Sequence, residues 1–131
     1  MELLVSIALL AVVIAVATRL LFTSDRALAA EGEHIAAVGG AVDLISDLGR
    51  DLRGAHSVSG GDVSLMIAGS PAIRYDYSRE RGAVMRYVVG NPDLTREYPG
   101  LRVRFAVRGD LVTVDLSTSA GEMRTGFYLR N

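Results

Sequence analysis

Cysteine and lysine are both absent from this chain of 131 residues. Without cysteine there is neither a disulfide framework nor a thiolate metal site, so redox compartment leaves no trace in the sequence. All basic charge sits on arginine, fourteen residues against fifteen carboxylates, for a formal net charge of −1. No basic cluster stands out among them, which removes the electrostatic case for nucleic acid. The usual catalytic patterns are missing as well. His34 and His56 have no HExxH or HxH context and no second histidine at metal-ligand spacing, and both read as solvated. Asp110, Asp115 and Glu122 stand singly near turns, Ser117, Thr118 and Ser119 have no base nearby in sequence, and there is no glycine-rich phosphate loop. The expectation is therefore no enzyme, no cofactor and no metal.

What the chain does have is a long apolar run, Glu2 to Phe22, with one carboxylate at its start. Between Leu3 and Ala17 only Ser6 is polar. As a helix, Leu3 to Phe22 covers about 30 Å, the thickness of a bilayer's hydrocarbon core. Thr18 and Arg19 fall near one end, where an arginine can reach the interface. Three readings of this run stand side by side. Ala15-Val16-Ala17 resembles a signal-peptide processing site, although Met1-Glu2 is acidic where such peptides are basic. A plain single-span anchor is the second. On that reading Arg19 and Arg26, following the span with nothing basic before it, orient the remainder toward the cytoplasm. The third places a short basic leader upstream of Met1.

The segment Glu-Leu-Leu-Val-Ser-Ile-Ala-Leu-Leu-Ala, residues 2–11, resembles the N-terminal helix of type IV pilins and type II secretion pseudopilins. In that family a basic leader ends in glycine, and a short apolar tetrapeptide leads into a Glu-Leu-Leu-Val segment. Met1 stands at the last residue of that tetrapeptide; the leader, its glycine and the methylated first residue are not in this sequence. Asp51-Leu52-Arg53-Gly54-Ala55 carries a second, weaker resemblance, to the Asp-Leu-Arg-x-Ala pattern at the end of the long helix in minor pilins and J-type pseudopilins. The resemblance implies a structural fibre subunit, held in the inner membrane by a single pass with its soluble domain extracytoplasmic, then drawn into a pilus or pseudopilus. Implied partners are other pilin or pseudopilin subunits, an inner-membrane assembly platform, membrane lipid, and a prepilin peptidase acting on the leader. The residues assigned to assembly are Glu2, Leu3, Leu4, Val5, Ile7, Leu10, Val13 and Ile14. Some pseudopilins hold Ca²⁺ in loops of the β-region, but Asp93 and Glu97 offer too few oxygens for that here. The runner-up is a membrane-anchored extracytoplasmic binding domain acting alone.

Beyond Phe22 the helical pattern continues without proline but changes character. Leu28, Ile35, Val38, Val42, Ile45, Leu48 and Leu52 recur at spacings of three, four or seven and are assigned to one stripe, with Asp43, Asp47, Arg50 and Asp51 largely off it. Gly32, Gly39 and Gly40 mark a bend, a close approach to another backbone, or a break into two helices. Gly54 is the expected C-cap, with Arg50 and Arg53 in the last turn. Residues 55–61 read as a connector. A period of two then predicts strands at 63–67, 72–78, 83–89, 101–107, 111–116 and 123–129, with the longest loop at 90–100.

The expected fold is α+β and pilin-like: a long N-terminal helix packed on one antiparallel meander. Residues 1–26 form the hydrophobic membrane and assembly half of the helix, which protrudes; residues 27–54 form the amphipathic half that packs on the sheet; residues 55–131 form the sheet domain.

Overall fold

The computed structural model describes residues 2–129, with residues 2–9 described by their backbone only. It has one long helix, α1 (Glu2–Arg53), followed by eight strands. By compactness the chain divides into two units, Met1–His34 and Ile35–Asn131. In the first unit the described part of α1 exposes its apolar side chains, Leu10, Val12, Val13, Ile14, Val16, Leu20, Leu21, Phe22 and Leu28 among them. Thr18 and Thr23 return their hydroxyls to the carbonyls of Ile14 and Arg19, both at 2.8 Å, so their polarity is spent within the helix. Gly32, Gly39 and Gly40 do not interrupt α1, which runs to Arg53. There the Gly54 amide donates to the Asp51 carbonyl at 3.3 Å and ends the helix where the sequence expects.

In the second unit the strands form two antiparallel sheets where the sequence suggests one. The first contains β1 (Ser57–Gly61), β2 (Ser64–Ala68), β3 (Ile73–Ser78), β4 (Ala83–Val88) and β5 (Asn91–Pro99), in that order. The second contains β6 (Arg102–Arg108), β7 (Leu111–Thr118) and β8 (Gly121–Tyr128). Asp62 and Phe105 join them by exchanging backbone hydrogen bonds of 2.9 and 2.7 Å. The expected connector at 55–61 and the expected loop at 90–100 are instead strands β1 and β5. Both are the edges of their sheet. An edge tolerates the glycine, serine, proline and charge that argue against a central strand, and Pro92 and Pro99 sit where missing N–H groups are affordable.

One core serves both sheets. Leu65, Ile67, Ile73, Tyr75, Val84 and Tyr98 face it from the first, and Leu101, Val103, Phe105, Val112, Val114 and Leu116 face it from the second or its approach. The alternation in "LRVRFAV" and "LVTVDL" is realised as expected. The two-residue turn Gly109-Asp110 links β6 to β7, with Gly109 in the left-handed region at φ 59°. Helix α1 enters the core through Ala41, Leu44, Leu48 and Leu52, with Ile45 half-buried beside them.

The helix stripe differs from the sequence expectation in a specific way. Leu48 and Leu52 are buried, but Ile35 is 66 % exposed and Val42 57 %, and Leu28 and Val38 are exposed too. At about 100° per residue, the six residues from Val42 to Leu48 leave those side chains about 120° apart around the helix. The expected stripe thus joins two faces, and the buried one is centred on Leu44. The close approach that glycine permits is also elsewhere. A Cβ on Gly39 would meet nothing within 4 Å, whereas one on Gly49 would lie 3.2 Å from Phe127 Cε1 on β8.

Candidate functional site

Two features of α1 have functional bearing: its exposed apolar segment, and the polar contacts that fasten its C-terminal part to β3, β4 and β5. Of the residues assigned to assembly, Glu2, Leu3, Leu4, Val5 and Ile7 lie outside the residues whose side chains are described. Leu10, Val13 and Ile14 are all more than half exposed. Among the described residues no helix is long and apolar enough to cross a membrane.

The fastening contacts begin with strand register. Tyr75 on β3, Arg86 on β4 and Arg96 on β5 are cross-strand neighbours in one row, and Tyr98 lies two residues further along β5. A register shift between β4 and β5 falls immediately after Arg86, the kind of irregularity that re-aims side chains. Above that row α1 presents Asp47 and Asp51, one helical turn apart.

Asp51 Oδ2 accepts from the Tyr75 hydroxyl at 2.5 Å and from Arg86 Nε at 2.7 Å, and its Oδ1 accepts from Arg86 Nη2 at 2.9 Å. Asp47 Oδ2 accepts from the Tyr98 hydroxyl at 2.5 Å and from Arg96 Nη1 at 2.6 Å. Arg96 also reaches Asp43 through Nη2 at 3.0 Å and places its guanidinium 5.2 Å from the centre of the Tyr98 ring. Arg50 approaches the remaining oxygen of Asp47 at 3.3 Å.

Asp47 is only 6 % exposed as a whole residue, and the carboxylate of Asp51 is covered as well. Burial of a carboxylate is tolerable only when charge and hydrogen bonds compensate it, and here both do. The tyrosines feel the same environment. Burial pushes the Tyr75 hydroxyl far above its usual range, and the hydrogen bond to Asp51 adds to this. Tyr98 is raised for the same two reasons, with Asp47 as its partner. Both phenols therefore remain neutral donors. The hydrogen bond to Asp51 likewise holds the Arg86 guanidinium firmly protonated. Among the described residues no buried side-chain nitrogen or oxygen lacks a partner.

Sequence reasoning places Asp47 and Asp51 largely off the apolar stripe and gives Tyr98, Arg86 and Arg96 no role. The signal that finds them is the spacing of Asp43, Asp47 and Asp51 at intervals of four, flanking Leu44, Leu48 and Leu52. A carboxylate next to a buried leucine can sit at the border of the packed face, within reach of donors on the strands that cover it.

These groups are engaged with one another, and nothing in their arrangement positions a nucleophile or a base toward open space. His34 and His56 are exposed. Asp93 and Glu97 are exposed on β5, not in a loop. Among the described residues no group of three or more histidine, cysteine or acidic side chains is placed to hold a metal ion. No family model, no curated protein and no solved structure matches this chain.

Proposed function

We propose that this chain is a structural subunit of a type IV pilus-like or type II secretion fibre, a minor pilin or pseudopilin, assembled through the N-terminal part of α1. The observation that carries the reading is the division of labour along one helix. Between Ala41 and Leu52 it buries Ala41, Leu44, Leu48 and Leu52 in the core of the second unit, whereas from Leu10 to Phe22 large apolar residues are exposed. Exposed leucine, valine and phenylalanine in such density need an apolar surrounding, and lipid or a bundle of like helices supplies one. On this reading the sheet domain stands outside the cytoplasm, with Arg19 and Arg26 on the same side. Assembly then exchanges lipid for neighbouring helices.

Glu2 is the residue whose role separates fibre assembly from simple anchoring. A carboxylate beside an apolar run is costly in a dry helix bundle unless paired. In a fibre its partner is an N-terminal amine, on a neighbouring subunit or on its own chain, and that contact sets the axial register. In a lone anchor Glu2 remains among the headgroups, and its charge is dispensable. The test is Glu2→Gln in the native gene, followed by cross-linking to other fibre subunits. The expected outcome is normal membrane association and a normally folded sheet domain with reduced incorporation. Incorporation equal to the parent rejects the assigned role of Glu2 and favours the anchor.

A further inference from the structure

A groove of about 940 Å³ lies where the strand ends of the two sheets meet, away from the helix and its aspartates. Arg102, Arg104, Asp115 and Arg124 line it from β6, β7 and β8, and Tyr77 and Arg79 line it from the end of β3. The strand register explains the first group. Arg104, Asp115 and Arg124 form one row across the three strands, and Arg102, Ser117 and Glu122 form the next.

The groove's arginines fall into two kinds. Arg124 is held by both oxygens of Asp115, and that hydrogen bonding keeps the Asp115 carboxyl below its ordinary range. Arg104 has Asp62 at 3.7 Å. Arg79 and Arg102, by contrast, have no carboxylate within 4.0 Å among the described residues. Both are exposed. They line the same groove, Arg79 from the turn that follows β3 and Arg102 from β6 of the other sheet. Two exposed guanidinium groups that line one groove of this size, neither with a carboxylate partner among the described residues, offer a receptor for anions.

We propose that this groove binds an acidic peptide segment of another protein, whose carboxylates pair with Arg79 and Arg102. The planar, forked guanidinium matches a carboxylate in two parallel hydrogen bonds. The groove's own carboxylates narrow the choice further. Asp62, Asp115 and Glu122 are interspersed with the arginines. A uniformly charged polymer such as nucleic acid or a sulfated glycan would be forced against them. A peptide can alternate charged with neutral residues and meet the arginines alone. This inference is independent of fibre assembly, since every residue involved lies in the Ile35–Asn131 unit and none in the exposed part of α1.

The experiment uses the full chain in micelles of an uncharged detergent and a fluorescein-labelled octapeptide in which glutamate alternates with glycine and serine. The expected result is a saturable rise in fluorescence anisotropy that disappears when glutamine replaces glutamate in the probe. Arg79→Glu and Arg102→Glu should each weaken binding about tenfold, and Arg79→Gln and Arg102→Gln by less, with circular dichroism unchanged. Arg108→Glu, outside the groove, should leave binding as it was. Absence of saturable binding, or an equal loss with Arg108→Glu, overturns the proposal. Displacement of the probe by inorganic phosphate or a heparin oligosaccharide at lower concentration than by unlabelled peptide overturns the assignment to a peptide.

Discussion

Removing the carboxylate of Asp51 should be among the most damaging single changes available in the sheet domain. Its side chain is 6 % exposed and accepts three hydrogen bonds, one from Tyr75 and two from Arg86, whose own side chain is 19 % exposed. Asp51→Asn keeps the shape but turns an N–H₂ group toward Arg86 and withdraws the charge that balances it. An uncompensated, largely buried guanidinium costs about 3–5 kcal/mol when its partner is lost. The fully buried Tyr75 hydroxyl would also lose its charged acceptor. Against a typical domain stability of about 5–15 kcal/mol, this is about a fifth of the whole or more. The assay is urea unfolding of the full chain in uncharged detergent, followed by near-ultraviolet circular dichroism of the tyrosines. Arg86→Met should cost a comparable amount. The double variant Asp51→Leu with Arg86→Met should cost clearly less than the sum of its two single variants, because an apolar pair replaces a buried ion pair, although the Tyr75 hydroxyl still lacks its acceptor. A loss below about 1 kcal/mol for Asp51→Asn, or strictly additive effects in the pair, would refute the claim that this contact fastens helix to sheet.

Stability should fall on the alkaline side for a reason particular to Tyr75 and Tyr98. Both phenols are raised in the folded state, so folding favours their protonated forms. The contribution is complete below the unfolded value near pH 10 and shrinks above it, by about 1.4 kcal/mol per pH unit for each tyrosine. Phenolate absorbance at 295 nm should accordingly show a step coincident with loss of circular dichroism; ionisation of all tyrosines well before unfolding would contradict it. Gly39→Ala should raise stability by up to about 1 kcal/mol, since the new methyl meets nothing and an exposed helical glycine is the poorer helix former, and a lowered melting temperature would contradict this. Deletion of residues 1–26 should leave a cooperative unfolding transition, because among the described residues every core residue of α1 lies at Ala41 or beyond. A truncated chain without that transition would mean that the deleted segment supports the core.

How much of this was legible in the sequence varies with the kind of information each residue carries. The strands facing the core were legible because burial on one side forces alternation, as in Leu101, Val103 and Phe105 against Arg102 and Arg104. The edge strands were not, because β1 and β5 lack that alternation: β1 is largely exposed, and β5 is exposed at every position but Tyr98. The division into two sheets was hidden for a similar reason. It depends on where backbone pairing stops, near Gly100, and no side-chain period records that. On the helix, apolar residues on two faces share similar spacings, so counting alone merged Val42 with Leu48. The spacing of the aspartates was legible, but the partners of Asp51 and Asp47 were not, for a deeper reason. Each carboxylate needs a donor from a strand some 24 to 51 residues away, and only the folded register brings them together. The resemblance at residues 2–11 bears on assembly and says nothing of these contacts.

Asp43, Asp47 and Asp51 repeat at the pitch of the helix, and this has a consequence for how α1 finds its seat. If the helix slid about 6 Å toward its C-terminus, Asp43 would take the place of Asp47 and Asp47 that of Asp51. Tyr98, Arg96, Tyr75 and Arg86 would find carboxylates waiting, so these charges hold the helix down without saying which turn belongs where. The apolar residues must supply that instruction. In the displaced arrangement Leu44 and Leu48 would stand in for Leu48 and Leu52, but Gly40 would fall at the fully buried position of Leu44. The void left by a missing leucine side chain costs about 3–5 kcal/mol. A single glycine, silent in every contact α1 makes to the aspartates' partners, thereby makes the neighbouring minimum a shallow one.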